Sequence, residues 1–285
     1  MLLLTCVEGE AFQTPAFGLP SWVPDWSVQG FVGLRLTGYR HFHAAVERSP
    51  AYSISRDKRV LDVEAVKLDN IVETSDKKQD LRAHLHSSTF WHLVSRLPST
   101  NKTTHGVQSR EEVVWRTLMT NRGSIRADCK AQYPAPDDIK HSFRDWILWR
   151  YATAPEEPST FPMPSSNRSV IPTQDELEDS RRRAANDPPY LIALARGASL
   201  FDLHYSHAML QRPFRSRQGY FGIGTQCLRE GDSVWLVSGC RVPIILRPLD
   251  GSKHYQLVGA SYLHGFMDGE ALGQGDVQFE MVSLE

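Results

Sequence analysis

Two stretches of period-two alternation, separated by about 150 residues of a different rhythm, constrain this chain more than any other feature. In the first, Tyr52 and Ile54 alternate with Ser53 and Ser55. Arg56-Asp57-Lys58 supplies a polar turn, and Leu61, Val63 and Ala65 then alternate with Asp62 and Glu64. Alternation of this kind marks a half-buried hairpin. The second stretch begins after Gln211. GYFGIG (Gly219 to Gly224) is a short aromatic strand between glycines, and Gly231-Asp232 is a turn. Val234 to Val237 is apolar on both faces. Gly239 turns the chain into Val242 to Leu246, and Asp250-Gly251 is a strong turn pair leading into Tyr255 to Tyr262. Neither stretch holds enough strands for a stable sheet, since an isolated hairpin is marginal in water. Together they predict an α+β fold: a small antiparallel β barrel or sandwich built from N- and C-terminal strands, with a long helical insertion between them.

The insertion, residues 80–210, carries helical signals throughout. Leu81, Leu85, Phe90, Val94 and Leu97 fall near helical spacing. Ser109 with Glu112 has the form of a capping box before Val114 and Leu118, and Thr173 with Glu176 repeats it. Asp137 or Asp138 is placed to cap a helix with the buried stripe Ile139, Phe143, Trp146 and Ile147. Residues of about 154–173 read as an exposed Pro- and Ser-rich loop. Pro189 to Leu210 reads as a last helix, interrupted or kinked near Gly197. The β unit is then split between 31–79 and 211–285. Residues 1–30 form a separate segment: an apolar helix end at Met1–Val7, then GLPSWVPDWS. Pro20 and Pro24 forbid a regular helix there. Trp22 and Trp26 are expected to be buried anchors against the sheet rather than ligand-stacking aromatics.

Composition removes several function classes. Lys plus Arg is 32 against 33 for Asp plus Glu, a net charge of −1, so no field of one sign draws in nucleic acid or an anionic membrane. No run approaches the roughly 20 apolar residues of a membrane span, and MLLLTCVEGE is too short for a secretory signal. Cys6, Cys129, Cys227 and Cys240 have no metal-finger spacing and read as reduced thiols, pointing to a cytoplasmic protein. The glycosylation patterns at Asn101 and Asn167 are then chance matches.

Few residues offer chemistry. His264, Asp268 and Glu270 lie together in HGFMDGE and are the candidate interaction or polar site. As a catalytic set, with Ser216, they make the alternative reading: an enzyme using a cleft between the β unit and the helices. The reading preferred here is a turn leaving the barrel, with Gly265 and Gly269 permitting it, Met267 packing, and Glu270 bonding backbone amides. The histidines His84, His86, His92, His204 and His207 lack the acidic or thiolate companions of a zinc site. Gly219, Gly222 and Gly224 lie between strands, not between a strand and a helix, so they serve close packing rather than phosphate binding. Arg181, Arg182 and Arg183 follow Glu176, Glu178 and Asp179 and suit a solvated helix. No catalytic residue, metal ligand or cofactor is therefore assigned.

Several segments together resemble the fungal heterokaryon-incompatibility (HET) proteins. LPSWVPDWS (Leu19 to Ser27), with Trp22, Pro24 and Trp26, resembles their tryptophan–proline segment. LDVEAVKLDNIVE (Leu61 to Glu73) resembles a strand reading L-x-V-x-G-x-x-x-D-x-I, with Ala65 at the glycine. WRTL (Trp115 to Leu118) resembles a helical tag. FRSRQGYFGIG (Phe214 to Gly224) is similar to a segment with threonine at the place of Ser216 and proline at the place of Thr225. EGDSVWLVSGCRVPIILRPL (Glu230 to Leu249) resembles G-D-x-V-x-x-L-x-G-x-x-x-P-x-x-L-R, with Gly231, Asp232 and Pro243 on its fixed positions. YQLVGASYLHGFMDGEAL (Tyr255 to Leu272) resembles Y-x-L-V-G-x-x-Y-x-H-G-x-M-x-G-E-A. The resemblance spans Leu19 to Leu272. It implies a role in self/non-self recognition and programmed cell death. The family's N-terminal HET module, with its L-S-Y-x-W-G type motif, has no counterpart here. The resemblance thus implies a truncated paralogue, a partial gene model or a partner lacking the effector half. It also implies a non-catalytic binding or regulatory region whose partners are proteins, a complete HET protein among them, with neither nucleic acid nor membrane as a partner.

Overall fold

The computed structural model describes residues 4–5, 18–27, 41–77, 81–82, 85, 88–103, 106–124, 130–154, 170–205, 211–273 and 277–285. Two compact units emerge, residues 1–78 with 210–285, and residues 79–209. Strands β1 (Tyr52–Ile54) and β2 (Leu61–Thr74) come first. The second unit holds α1 (Ser88–Ser95), β3 (Thr100–Thr103), β4 (Gly106–Ser109), α2 (Arg110–Leu118), α3 (Ile139–Thr153), α4 (Gln174–Asn186) and α5 (Pro188–Tyr205). Then follow β5 (Arg212–Ser216), β6 (Phe221–Gly224), β7 (Ser233–Val237), β8 (Ile244–Pro248), β9 (Tyr255–Leu263) and β10 (Glu280–Leu284).

In the first unit the N- and C-terminal strands form one eight-stranded sheet. The strand β2 is its hub. It pairs antiparallel with β1 and β10 through its first half, with β7 through Ala65 to Asn70, and with β5 through Ile71 to Thr74. Register shifts between Lys67 and Asp69 and between Ile71 and Glu73 let it bend from one partner to the next. From β5 the pairing runs to β6, β9, β8 and β7 and so returns to β2, a barrel-like ring. The alternation Leu61, Val63, Ala65 is buried on one face, as the period-two pattern requires. A core of Ile71, Phe214, Leu228, Val234, Leu236, Ile245, Val258 and Leu263 fills the ring.

In the second unit, the Thr173–Glu176 capping box forms in full, and α3 buries Ile139, Phe143, Trp146 and Ile147. At α2 the Ser109 hydroxyl accepts the Glu112 amide, but the Glu112 carboxylate turns to Arg116 instead of back to the cap.

Four expectations need correction. The segment 80–210 is not wholly helical, because β3 and β4 form a hairpin in which Asn101 lies opposite Gln108. The first helix is confined to Ser88–Ser95; Leu81 and Leu85 are buried outside it, and Leu85 O accepts the Trp91 indole N–H at 2.6 Å. The helix α5 runs unbroken through Gly197. Glycine stands there because α3 comes so close that a Cβ would lie 2.0 Å from Asp145 Oδ2. Asp138 makes no side-chain cap, and Asp137 pairs with Arg116 instead.

The tryptophan expectation fails at Trp26, which is 77% exposed. The Asp25 carboxylate accepts both the amide (2.9 Å) and the hydroxyl (2.6 Å) of Ser27, which turns the chain and leaves Trp26 at its tip. Pro24 and Asp25 take the buried positions, and Trp22 is half-buried. The anchor is Ser21, whose hydroxyl accepts the Leu257 amide at 2.8 Å and donates to Glu285 O. Of Met1–Val7 only Leu4 and Thr5 lie among the described residues; Cys6, Cys129, His84, His86, His207, Asn167 and loop residues 155–169 lie outside them.

Candidate functional site

HGFMDGE continues directly from the end of β9. Its two glycines, Gly265 (φ 85°) and Gly269 (φ 80°), adopt the left-handed backbone that a Cβ disfavours and let the segment turn. His264 donates its amide to Phe221 O at 3.1 Å, holding the segment to β6. Its side chain is 5% exposed, with Nδ1 3.0 Å from the Tyr262 hydroxyl. Met267 is fully buried, and its sulfur accepts the Leu263 amide at 3.4 Å. The Glu270 carboxylate, itself buried, accepts the Asp268 amide. Phe266 packs edge-on against Tyr220, 4.7 Å between centroids.

The segment Phe42 to Ala45, within the 31–79 part of the split β unit but given no strand or role by the sequence, completes this end of the ring. His43 N donates to Met267 O at 2.9 Å, Ala44 N to Arg241 O at 3.1 Å and Ala45 N to Cys240 O at 3.0 Å. Gly239 N returns a bond to Ala45 O at 3.0 Å. Phe42, Ala44 and Ala45 are buried, and both alanines belong to the ring core. On the outside, His43 Nδ1 lies 3.2 Å from Asp268 Oδ1, with both side chains about half exposed. His264 meets the Tyr262 hydroxyl, Asp268 meets His43, and the Glu270 carboxylate holds the Asp268 amide of its own turn. Ser216 is fully buried, and its hydroxyl accepts the Tyr220 amide at 3.0 Å, closing the β5–β6 turn. Among the described residues, no three His, Cys, Asp or Glu side chains gather to hold a metal ion. His204 Nε2 accepts the Ser124 amide at 3.3 Å, and His92 is exposed.

The remaining motif residues have architectural roles. Gly231 (φ 90°) makes the turn in which its amide bonds Ile71 O, and the Ile71 amide bonds Asp232 O. Asp232, fully buried, receives Arg247 and the Arg229 amide. Pro243 O accepts both the amide and the hydroxyl of Ser261. Gly219 (φ 87°) turns between β5 and β6. At Gly222 a Cβ would meet Phe214 Cζ at 2.5 Å and Tyr262 O at 2.6 Å, so this glycine is a close-packing position.

Several charged groups that matter were not visible in the sequence. Glu64 takes a two-pronged pair from Arg48 (3.0 and 2.7 Å) and the Ser238 hydroxyl (2.6 Å). The Arg48 guanidinium, then Ser238, hold its carboxyl down to about 2. Burial pushes the Cys240 thiol up to about 12. Arg212 donates to Ser75 O and Leu228 O, each at 2.6 Å, and burial lowers its pKa. The Arg247–Asp232 pair differs, since both residues stand on fixed positions of the resembling motif.

Comparison with known proteins bears on the same region. Residues 178–278 match the Het-6 beta-barrel domain, from within α4 to beyond β9. Heterokaryon incompatibility protein 6, OR allele, of Neurospora crassa is 38% identical over 66 residues, which are 22% of this chain and 10% of that protein. No solved structure matches the chain.

Proposed function

We propose, from the premise that this chain is a relative of the fungal heterokaryon-incompatibility proteins, that it is a non-catalytic contact region acting in self/non-self recognition. Its work is to bind other proteins, a complete HET protein among them, in the cytoplasm. The observation that carries the reading is the engagement of HGFMDGE. His264, Asp268 and Glu270 each hold part of the barrel end, through Tyr262, His43 and the Asp268 amide. Groups used to fix a turn serve shape, and a fixed surface is what recognition needs. Among the described residues, no helix is long and apolar enough to cross a membrane.

The test is expression in a filamentous fungus lacking related genes, alone and beside a complete HET protein. Growth and dye uptake are scored. The expected outcome is survival when residues 1–285 are expressed alone, and an altered reaction when the complete protein is present. Death on expression alone overturns the reading, and Asp268→Asn and Glu270→Gln then test whether HGFMDGE carries an activity.

A further inference from the structure

We infer that β1 is a docking edge for an extended segment of a partner polypeptide, apolar at every second residue and acidic where it passes the β1–β2 turn. This rests on the contact-region reading above and names the place and chemistry of one contact.

The geometry comes from the ladder. Glu64 N donates to Ala51 O at 3.0 Å, and Ser55 N donates to Val60 O at 2.9 Å. In an antiparallel pair, hydrogen-bonded and non-bonded positions alternate. Ala51, Ser53 and Ser55 therefore face β2 with their backbone groups. Tyr52 and Ile54, opposite Val63 and Leu61, aim their N–H and C=O groups outward. Among the described residues no strand pairs with that side of β1. The same two residues expose their side chains, Tyr52 by 61% and Ile54 by 49%. One edge thus offers two donors, two acceptors and two apolar side chains on one face, the pattern a third strand completes. Proteins usually guard such an edge with charge or proline; β1 has neither within it.

Charge complementarity selects the occupant. Beyond Ile54 the turn exposes Arg56, Lys58 and Arg59. Its one acid, Asp57, is held by the Ser55 hydroxyl and the Arg59 amide. The turn is pinned by the Trp22 indole N–H on Arg59 O at 3.2 Å. A segment running along β1 thus meets a net positive tip. A second copy of this chain fits poorly. Parallel pairing of two β1 strands brings both tips together. Antiparallel pairing about Ser53 sets Lys58 against Arg48, and Arg56 against Pro50, which has no N–H.

The test uses the full chain and a dye-labelled synthetic peptide of alternating valine and threonine with glutamates at one end, read by fluorescence anisotropy. A control peptide carries lysines instead. The parent is expected to prefer the glutamate peptide. Ile54→Pro removes an outward amide and leaves the β1–β2 ladder intact, since proline is tolerated with its nitrogen facing solvent. It should weaken binding about tenfold or more with an unchanged melting temperature. Arg59→Glu takes the tip of Arg56, Asp57, Lys58 and Arg59 from net positive to neutral and should abolish the parent's peptide preference, which keeps the test decisive if Ile54→Pro fails to fold. No binding by the parent, equal binding of both peptides, an unaffected Ile54→Pro, or self-association of the parent through β1 overturns the inference. Any of these would leave the fungal expression assay, and the reading it tests, standing.

Discussion

Asp232 and Arg247, neighbours across the β7–β8 hairpin, are joined by two parallel hydrogen bonds: Nε to Oδ1 at 2.8 Å and Nη2 to Oδ2 at 2.9 Å. The side chains are 1% and 11% exposed, so the pair is buried. Arg247 also donates to Cys227 O at 2.8 Å, and Asp232 accepts the Arg229 amide at 2.9 Å. The pair thus ties the loop before β7 to the sheet. Removing one partner leaves the other charge buried and unmatched. Arg247→Met should cost about 3–5 kcal/mol in urea unfolding, and pairing it with Asp232→Leu should cost less than the two single changes combined. Additive losses would show that the pair does not act as a unit.

Glu64 makes stability depend on pH at the acid end. Its folded pKa is held at about 2, below the ordinary 4.5, by Arg48 and Ser238. A carboxyl depressed in the fold adds stability above its unfolded value and loses it as pH falls through the folded one. The stability difference between parent and Glu64→Gln should therefore be constant above pH 4.5 and shrink as pH falls toward about 2. Thermal melts across that window measure it; a difference that persists at the acid end would assign the effect to packing.

The tryptophans should separate sharply. Trp26 is 77% exposed, and Trp26→Ala should change stability by no more than about 0.5 kcal/mol. Trp146 is fully buried, packs with Phe201 and Tyr205 at 5.2 Å, and donates its indole N–H to Asp202 at 2.7 Å. Trp146→Ala should cost about 3–5 kcal/mol. Denaturant melts of the two variants, run together, decide between this ordering and its reverse.

Gly222→Ala tests the closeness of β6 to its neighbours. The added methyl would sit 2.6 Å from the backbone carbonyl of Tyr262 and 2.5 Å from the Phe214 ring. A carbonyl fixed in a sheet moves only with its strand. The expected cost is about 1–3 kcal/mol, as for other overpacked cores. An unchanged urea midpoint would mean that β9 relaxes freely.

Local structure was legible where its cause was local. The Thr173–Glu176 box closes within three residues, and both of its bonds are present. The alternation of Leu61, Val63 and Ala65 predicted one buried face, and burial follows it. Gly231, Gly239 and Gly251 have positive φ at the turns their flanking sequence suggested, whereas Gly219, read as a close-packing glycine, turns the chain between β5 and β6. The hairpin β3–β4 was missed because Thr100 to Ser109 alternates weakly and exposes most of its side chains.

What lay beyond the sequence were choices made between distant residues. The amino acids alone determined which long segments alternate, where α2 and α4 begin, and that two incomplete β sets needed each other. The order in which β2 meets β10, β7 and β5 depended on where its ladder shifts, and those shifts arise only with partners in place. At Trp26, residue type argued for burial, but Asp25 and Ser27 set the direction of the chain, and direction decided exposure. In HGFMDGE the residue types suited either acid–base chemistry or a turn. The contacts these residues make in the fold were not legible locally: His43 comes from the other half of the split unit, and the Tyr262 hydroxyl and the Asp268 amide reach His264 and Glu270 only once the turn has formed.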